Sequence, residues 1–441
     1  MMEERRHHES TAPSRRDFLR TAGTAAVVGQ AAAVAAAQTA VEPPPAPALA
    51  IDGGPKAVTI EGAEAWRWPL YGRAEEEAVL AVVRKPGYDQ IAALEKDWKA
   101  FLGVEHARAF CNGTSALAAM YFALDLPPGS EVMVPSYTFF SSIVPMRHFG
   151  LVPVFVDIDP RTLNFDLEDA KKRLTKNTRA VLPVHWYGLP CDMDDICRWA
   201  DERGLAVLED AAHAHGAKLQ GRPMGTWGRM SIFSYQTTKP MPALEGGMGV
   251  YRDEDDCDRA SAFGHHDKCF GKYARYLGTG LGMKLRMHPL AATLARCQLR
   301  DLPARTAAGV EQMRRLNERL TQLPGLSAQR TRPDCERVYY DWNALFLDEK
   351  RAGMTREDCV RALKAEGVAA IPHVYRLQHE QPLYAEPQWW HHPPVIPDVL
   401  PGSQEANTTM IALRYFTSEQ PELVEQYVRA FEKVWARLGR T

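Results

Sequence analysis

Between residues 107 and 208, short apolar runs alternate with segments of helical periodicity, and this alternation constrains the fold more than any other feature of the chain. The runs at 107–111, 131–134, 153–156, 180–184 and 205–208 are predicted strands. Helices are predicted over 74–84, 90–102, 114–124, 166–174 and 192–203. Strands separated by helices cannot pair as hairpins; they lie mainly parallel in one sheet with helices on both faces. Ligands of such sheets bind beyond the carboxyl ends of the strands, so the residues that follow each strand are where chemistry is sought. Farther on, 289–323 is largely helical and 342–347 reads as a strand. Thr355-Arg356-Glu357-Asp358 has capping-box spacing before a helix that stops at Gly367, and 423–438 is amphipathic. The expected architecture is α/β: a large domain over 51–288 with a mainly parallel central sheet, then a connecting helix and a smaller α+β domain over 289–441.

Four strand ends carry candidate chemistry. The first is Cys111-Asn112-Gly113-Thr114-Ser115, which opens directly into a helix. Free N–H groups at a helix start, a glycine and two hydroxyls make a phosphate cradle, although the same residues also form a plain turn and N-cap. The second is Pro135-Ser136-Tyr137-Thr138-Phe139-Phe140, where an aromatic ring could lie on a planar cofactor or simply pack. The third is Glu209-Asp210-Ala211-Ala212-His213. A carboxylate at a buried strand end costs desolvation unless a cation pairs with it, and a protonated pyridine nitrogen is one such cation; a structural ion pair or a metal set with His213 and His215 are the alternatives. The fourth runs from Ser231 through Ser234 and Tyr235 to Lys239 and on to Glu245-Gly246-Gly247. A lysine held at the edge of a sheet has a lowered pKa and becomes an amine nucleophile. No GxGxxG or GxxxxGK[ST] is present, so the dinucleotide and P-loop fingerprints are missing.

A phosphate cradle, an aromatic plate, a buried Asp and a Lys are the parts that pyridoxal phosphate requires. Their order resembles the DegT/DnrJ/StrS family of fold-type I sugar aminotransferases from about residue 50 to the C-terminus. Gly53-Gly54-Pro55, Asn112-Gly113-Thr114, Pro135 to Phe139, Pro183-Val184-His185-Trp186-Tyr187-Gly188, Glu209 to Ala212, Phe233 to Lys239 and Glu245-Gly246-Gly247 match its landmarks. The resemblance implies a PLP-dependent transaminase that moves an amino group from an amino acid donor to a keto substrate, a sugar or cyclitol. It implies that Lys239 carries the cofactor covalently and that Asp210 holds the pyridine nitrogen protonated. Phe139 would stack on the ring, and His213 would contact its hydroxyl side. Gly113, Thr114 and Ser234 would hold the phosphate, and His185 and Tyr187 would face the substrate. The family works as a homodimer, with an Asn of one subunit reaching the other's phosphate; Lys284 stands at that position here. The family's Arg-Asn-His-Gly is replaced by Gly264-His265-His266-Asp267, and its late Leu-Pro pair is altered near Leu413-Arg414. Two other readings accompany the transaminase. A family dehydratase has His in place of the Lys, which Lys239 argues against, and an exported member could bind cofactor or ligand without turnover.

The first forty residues differ in kind. Ser14-Arg15-Arg16-Asp17-Phe18-Leu19 precedes an uncharged, alanine-rich stretch over 21–40 that ends near Ala35-Ala36-Ala37. This is the pattern of a twin-arginine signal peptide, which implies export and cleavage near residue 37. A proline-rich linker is expected over 41–50. Lys plus Arg is 53 against 55 Asp plus Glu, a formal net charge of −2, which removes the electrostatic reason to expect nucleic acid as a partner. No span of the remainder reaches 18 apolar residues, so no stable membrane segment is expected after cleavage. The eight cysteines contain no CxxC, and His265-His266 and His391-His392 lack a third ligand at helical or turn spacing, so no metal is expected.

Overall fold

The computed structural model describes residues 48–439. The expected signal segment, and the linker up to residue 47, lie outside them. The linker ends earlier than expected. Leu49 is only 2 % exposed, and Ala50 N donates to Glu366 Oε1, so apolar burial already fixes the chain before residue 51.

Seven strands form the central sheet: β1 (His106–Phe110), β2 (Glu131–Pro135), β3 (Val152–Val156), β4 (Thr178–Val181), β5 (Ala206–Asp210), β6 (Met230–Ser234) and β7 (Gly247–Tyr251). Their order is β1-β7-β6-β5-β4-β2-β3. Neighbours from β3 through β6 pair parallel, and β7 alone runs antiparallel, to both β6 and β1. Every residue of β2 and β6 is buried, as a sheet covered on both faces requires. β7 has no counterpart among the predicted strands. Its Gly247 and Gly249 give no apolar strand signature, yet a Cβ on Gly247 would lie 2.5 Å from the carbonyl carbon of Asn112. The glycine is what lets β7 press against the chain that leaves β1.

The helices α1 (Arg73–Arg84), α2 (Asp89–Leu102), α3 (Gly113–Leu124), α4 (Leu167–Arg173) and α5 (Met193–Asp201) stand within one residue of their expected spans, except that α5 stops two short. α2 ends on Gly103, whose φ of 71° is the left-handed stop glycine adopts freely. Its Trp98 is fully buried, edge-on to Phe233 and Tyr235 of β6 and the residue after it. After α6 (Glu254–Gly264), α7 (Pro289–Leu320) begins with proline at its first turn and runs 32 residues, about 48 Å. It packs against α1, α2 and α9 (Pro421–Leu438) and so spans the molecule. A second sheet is antiparallel throughout, with β8 (Leu326–Ala328), β9 (Trp342–Leu347), β10 (Ala370–Pro372) and β11 (Met410–Arg414) in the order β8-β9-β11-β10. α8 (Arg356–Ala365) is capped as expected, the Thr355 hydroxyl accepting from Asp358 N. A short three-stranded sheet joins residues 218–219, 222–223 and 335–336. Among the described residues, no helix is long and apolar enough to cross a membrane.

Glu95 ties α2 to the first strand. Its carboxylate, 7 % exposed, accepts from Arg108 Nη1 at 2.9 Å, Ala109 N at 3.0 Å and Lys268 Nζ at 3.1 Å. Burial pushes its pKa up, but Arg108 and Lys268 outweigh burial and hold it below the ordinary value. A carboxylate with a depressed folded-state pKa contributes stability above its unfolded value, and that contribution is lost as pH falls through the folded value. Glu95→Gln should therefore cost about 3–5 kcal/mol at pH 7, because it leaves Arg108 buried and unpaired. It should cost less at the acid end; equal losses at pH 7 and pH 3 in denaturant titrations would contradict this.

Candidate active site

The ends of β1, β2, β4, β5 and β6 each deliver one part of a single cavity of about 560 Å³. Beyond β1, Asn112 caps α3, its side chain accepting from Ser115 N at 2.8 Å. That leaves the first turn of α3, Gly113 and Thr114, facing the cavity. A Cβ on Gly113 would stand 3.0 Å from Ser234 Cβ, so the glycine is what brings the helix start against the end of β6. Thr114 Oγ1 donates to Ser141 Oγ at 2.8 Å, linking this cradle to the loop after β2. Phe139 and Phe140 project from that loop, both exposed.

Asp210 closes β5 and is 5 % exposed. Ser142 Oγ donates to its Oδ2 at 2.7 Å, and Ala212 N to its Oδ1 at 3.1 Å. Among the described residues no cation lies within salt-bridge distance of it, so two neutral donors hold a buried negative charge that faces the cavity. The preceding residue does the opposite job. Glu209 is fully buried, pointing to the other face of the strand. It accepts from the backbone N–H groups of Gly225, Trp227 and Gly228 at 2.7–2.8 Å and lies 3.1 Å from His185 Nε2.

That contact corrects one expectation. His185 does not reach the substrate side: it is fully buried, bonded to Glu209, and its Nδ1 accepts from Cys191 N at 3.1 Å. It positions the chain under the site. Tyr187, two residues on, does line the cavity, its hydroxyl 3.0 Å from His373 Nε2.

His213 lines the cavity with its Nδ1 unpartnered. Burial first, then the charge of Lys239, pushes its pKa well below the ordinary value, so the ring is neutral at pH 7. It stacks on Tyr340 at 4.2 Å. Lys239 Nζ lies over the same tyrosine ring, 4.2 Å from its centroid, with no carboxylate in salt-bridge range among the described residues. Its backbone is fixed by the turn to Gln236 O at 2.8 Å. Lys284 is not in this cavity; it is exposed on the chain before α7.

The opposite wall went unread in the sequence. Tyr340, Asp341 and Trp342 precede and open β9, and His373 and Tyr375 follow β10. They come from the second sheet and carry no local motif. Among the described residues no cluster of three or more His, Cys, Asp and Glu side chains could hold a metal.

A small neutral helix-start cradle, an unpaired buried carboxylate and an unpaired lysine, all at strand ends of a parallel sheet, define the class. The chain matches the model of the DegT/DnrJ/EryC1/StrS aminotransferase family over residues 73–432 and belongs to that family. It is an aminotransferase with the fold-type I architecture. It is 34 % identical over 309 residues to the spore coat polysaccharide biosynthesis protein SpsC of Bacillus subtilis (strain 168), spanning 68 % of this chain and 79 % of that protein. It is also 34 % identical over 270 residues to the 3-amino-5-hydroxybenzoate synthase of Amycolatopsis mediterranei (strain S699), spanning 59 % and 69 %. The crystal structure of an aminotransferase from Psychrobacter cryohalolentis superposes with a TM-score of 0.76 at 26 % identity, over 84 % of this chain and 99 % of that one.

Proposed function

We propose that the cavity binds pyridoxal 5'-phosphate and that the enzyme moves an amino group from an amino acid donor to the keto group of a sugar or cyclitol. The observation that carries this reading is the pairing of two uncompensated charges, Asp210 and Lys239, across one cavity whose end is a hydroxyl and N–H cradle. A phosphorylated pyridine aldehyde complements all three: phosphate for the cradle, ring nitrogen for Asp210, carbonyl for Lys239. One named relative concerns polysaccharide biosynthesis and another makes a ring-bound amine, which supports a cyclic acceptor.

Pyridoxal phosphate supplies an electron sink for charge that develops on the substrate carbon. The chain supplies the rest. Gly113, Thr114 and Ser234 would hold the phosphate. Asp210, held by Ser142 and Ala212 N, would keep a proton on the ring nitrogen. Phe139 would cover the ring, and neutral His213 would meet its hydroxyl side. Lys239 would hold the carbonyl end of the group, and its amine is the base that would move a proton at the substrate carbon. A lysine here, rather than a histidine, supports amino transfer over dehydration.

Among the described residues, no Lys or Arg other than Lys239 lines the cavity. Lys284 of the partner subunit in a homodimer would supply a cation to the cradle. Exposed Phe139, Phe140, Leu244, Phe270, Leu277 and Met283 support burial of this side of the molecule against a second copy. The division into a cofactor domain over 51–288 and a small domain over 289–441 belongs to the same proposal. So does export of the folded, loaded enzyme by the twin-arginine route, cleaved near residue 37. Its support is the Arg15-Arg16 motif ahead of a weakly apolar stretch.

Three outcomes are expected. Asp210→Asn should slow the absorbance change that L-glutamate produces in the holoenzyme by about 100-fold or more, and an unchanged rate would remove the role of Asp210. Lys284→Ala should weaken cofactor retention on dialysis by about tenfold while the circular dichroism spectrum is unchanged. Arg15→Lys with Arg16→Lys should trap the uncut protein in the cytoplasmic fraction; a wild-type protein found there intact would end the export proposal.

A further inference from the structure

The rim beside Lys239, whose Nζ lies over the ring of Tyr340, holds a carboxylate that amino transfer itself does not use. Asp341 lines the cavity just before β9. Its φ of 59° is left-handed, a region that Asp enters more readily than most residues with a side chain. Two backbone contacts fix the turn: Tyr415 N donates to Asp341 O at 3.2 Å, and Trp342 N to Tyr340 O at 2.6 Å. Arg414, at the end of β11 and in register with Trp342, reaches back to Asp341 Oδ1 at 2.7 Å. Its guanidinium also lies over the Trp342 ring at 5.0 Å. This arginine stands where the sequence departs from the family's Leu-Pro pair.

Arg414 is not part of the cavity wall, so it does not meet a ligand directly. It uses one oxygen of Asp341, and the Trp342 side chain also hydrogen-bonds the carboxylate, which keeps further acceptor lone pairs. Tyr340, Trp342, Tyr375 and Trp186 share the cavity wall with it, as does a second carboxylate, Glu245, and among the described residues Lys239 is the lone Lys or Arg in that wall. A carboxylate acceptor flanked by aromatic plates matches a hydroxylated ring: adjacent O–H groups donate to the carboxylate, and the C–H faces lie against the aromatics.

We propose that Asp341, aimed by Arg414, is the specificity residue that reads ring hydroxyls of the keto acceptor. The inference rests on the amino-transfer reading and names the part of the acceptor that this site recognises. Arg414 is a positioning residue. Burial pushes the Asp341 pKa up, and Arg414 from β11 and Lys239 from the loop after β6 oppose it; the Tyr187 hydroxyl stands nearby as a neutral neighbour. Removing Arg414 therefore moves protonation of Asp341 to higher pH, and recognition of hydroxyls is lost from the acid side first.

The test separates the two half-reactions. Holoenzyme is first aminated with L-glutamate, then discharged with 2-keto-myo-inositol, 3-keto-D-glucose or 2-oxoglutarate, each followed by absorbance. Asp341→Asn should raise the KM for the two keto polyols about tenfold or more, with the glutamate half-reaction and the discharge by 2-oxoglutarate changed less than about twofold. Arg414→Gln should shift the acid limb of the polyol reaction to higher pH, and Arg414→Lys should restore it, which a merely structural role would not do. If the wild-type enzyme is not aminated by any amino acid, the amino-transfer reading itself falls. If it is aminated but neither polyol discharges it, or if both variants discharge with polyols as the wild type does, the assignment of Asp341 is overturned.

Discussion

A buried negative charge without a cation is the constraint around which this molecule is arranged. Asp210 ends a central strand at 5 % exposure with two neutral donors and no positive partner among the described residues. Desolvating a carboxylate in this way is costly, and proteins seldom keep such a group unless a ligand completes it. The neighbouring residue shows the contrast. Glu209, one position earlier and on the other face of the same strand, is fully buried too, yet three backbone N–H groups and His185 surround it. One carboxylate is spent on holding the loop at 225–228; the other is left for chemistry.

The parallel sheet converts that constraint into a site. Because β1, β2, β5 and β6 all deliver their following residues to one rim, helix-start N–H groups, hydroxyls, Asp210 and Lys239 meet without any of them being near in sequence. Glycines permit the approach: Gly113 against Ser234, and Gly247 against the chain at Asn112. The second sheet then closes the cavity with aromatic rings, and Tyr340 touches both His213 and Lys239. The charge of Lys239 in turn helps to keep His213 neutral.

Much of this was legible in the chain, for physical reasons. Apolar runs of four or five residues between helical segments mark parallel strands, so six of the seven central strands, β6 included, were readable. The residues after them, Asn112 to Thr114, Phe139, Asp210, His213, Ser234 and Lys239, fell on the cavity wall because strand ends have one place to go. β7 was hidden by its glycines, which serve close packing and leave no apolar run. His185 was expected at the substrate from the resemblance alone; its ring is instead fully buried and bonded to Glu209. Tyr340, Asp341, Trp342, His373 and Tyr375 were illegible, since their position depends on how the second sheet meets the first, and no local pattern encodes that.

The central claim is that Lys239 is the amine to which the cofactor is joined. Borohydride reduction of the purified holoenzyme, followed by proteolysis and mass mapping, tests it most directly. A pyridoxyl phosphate mass on the peptide that contains Lys239, and loss of that label together with the absorbance band in Lys239→Ala, is the result this account predicts. A label on another lysine, or a purified protein that takes up no pyridoxal phosphate at all, would contradict it.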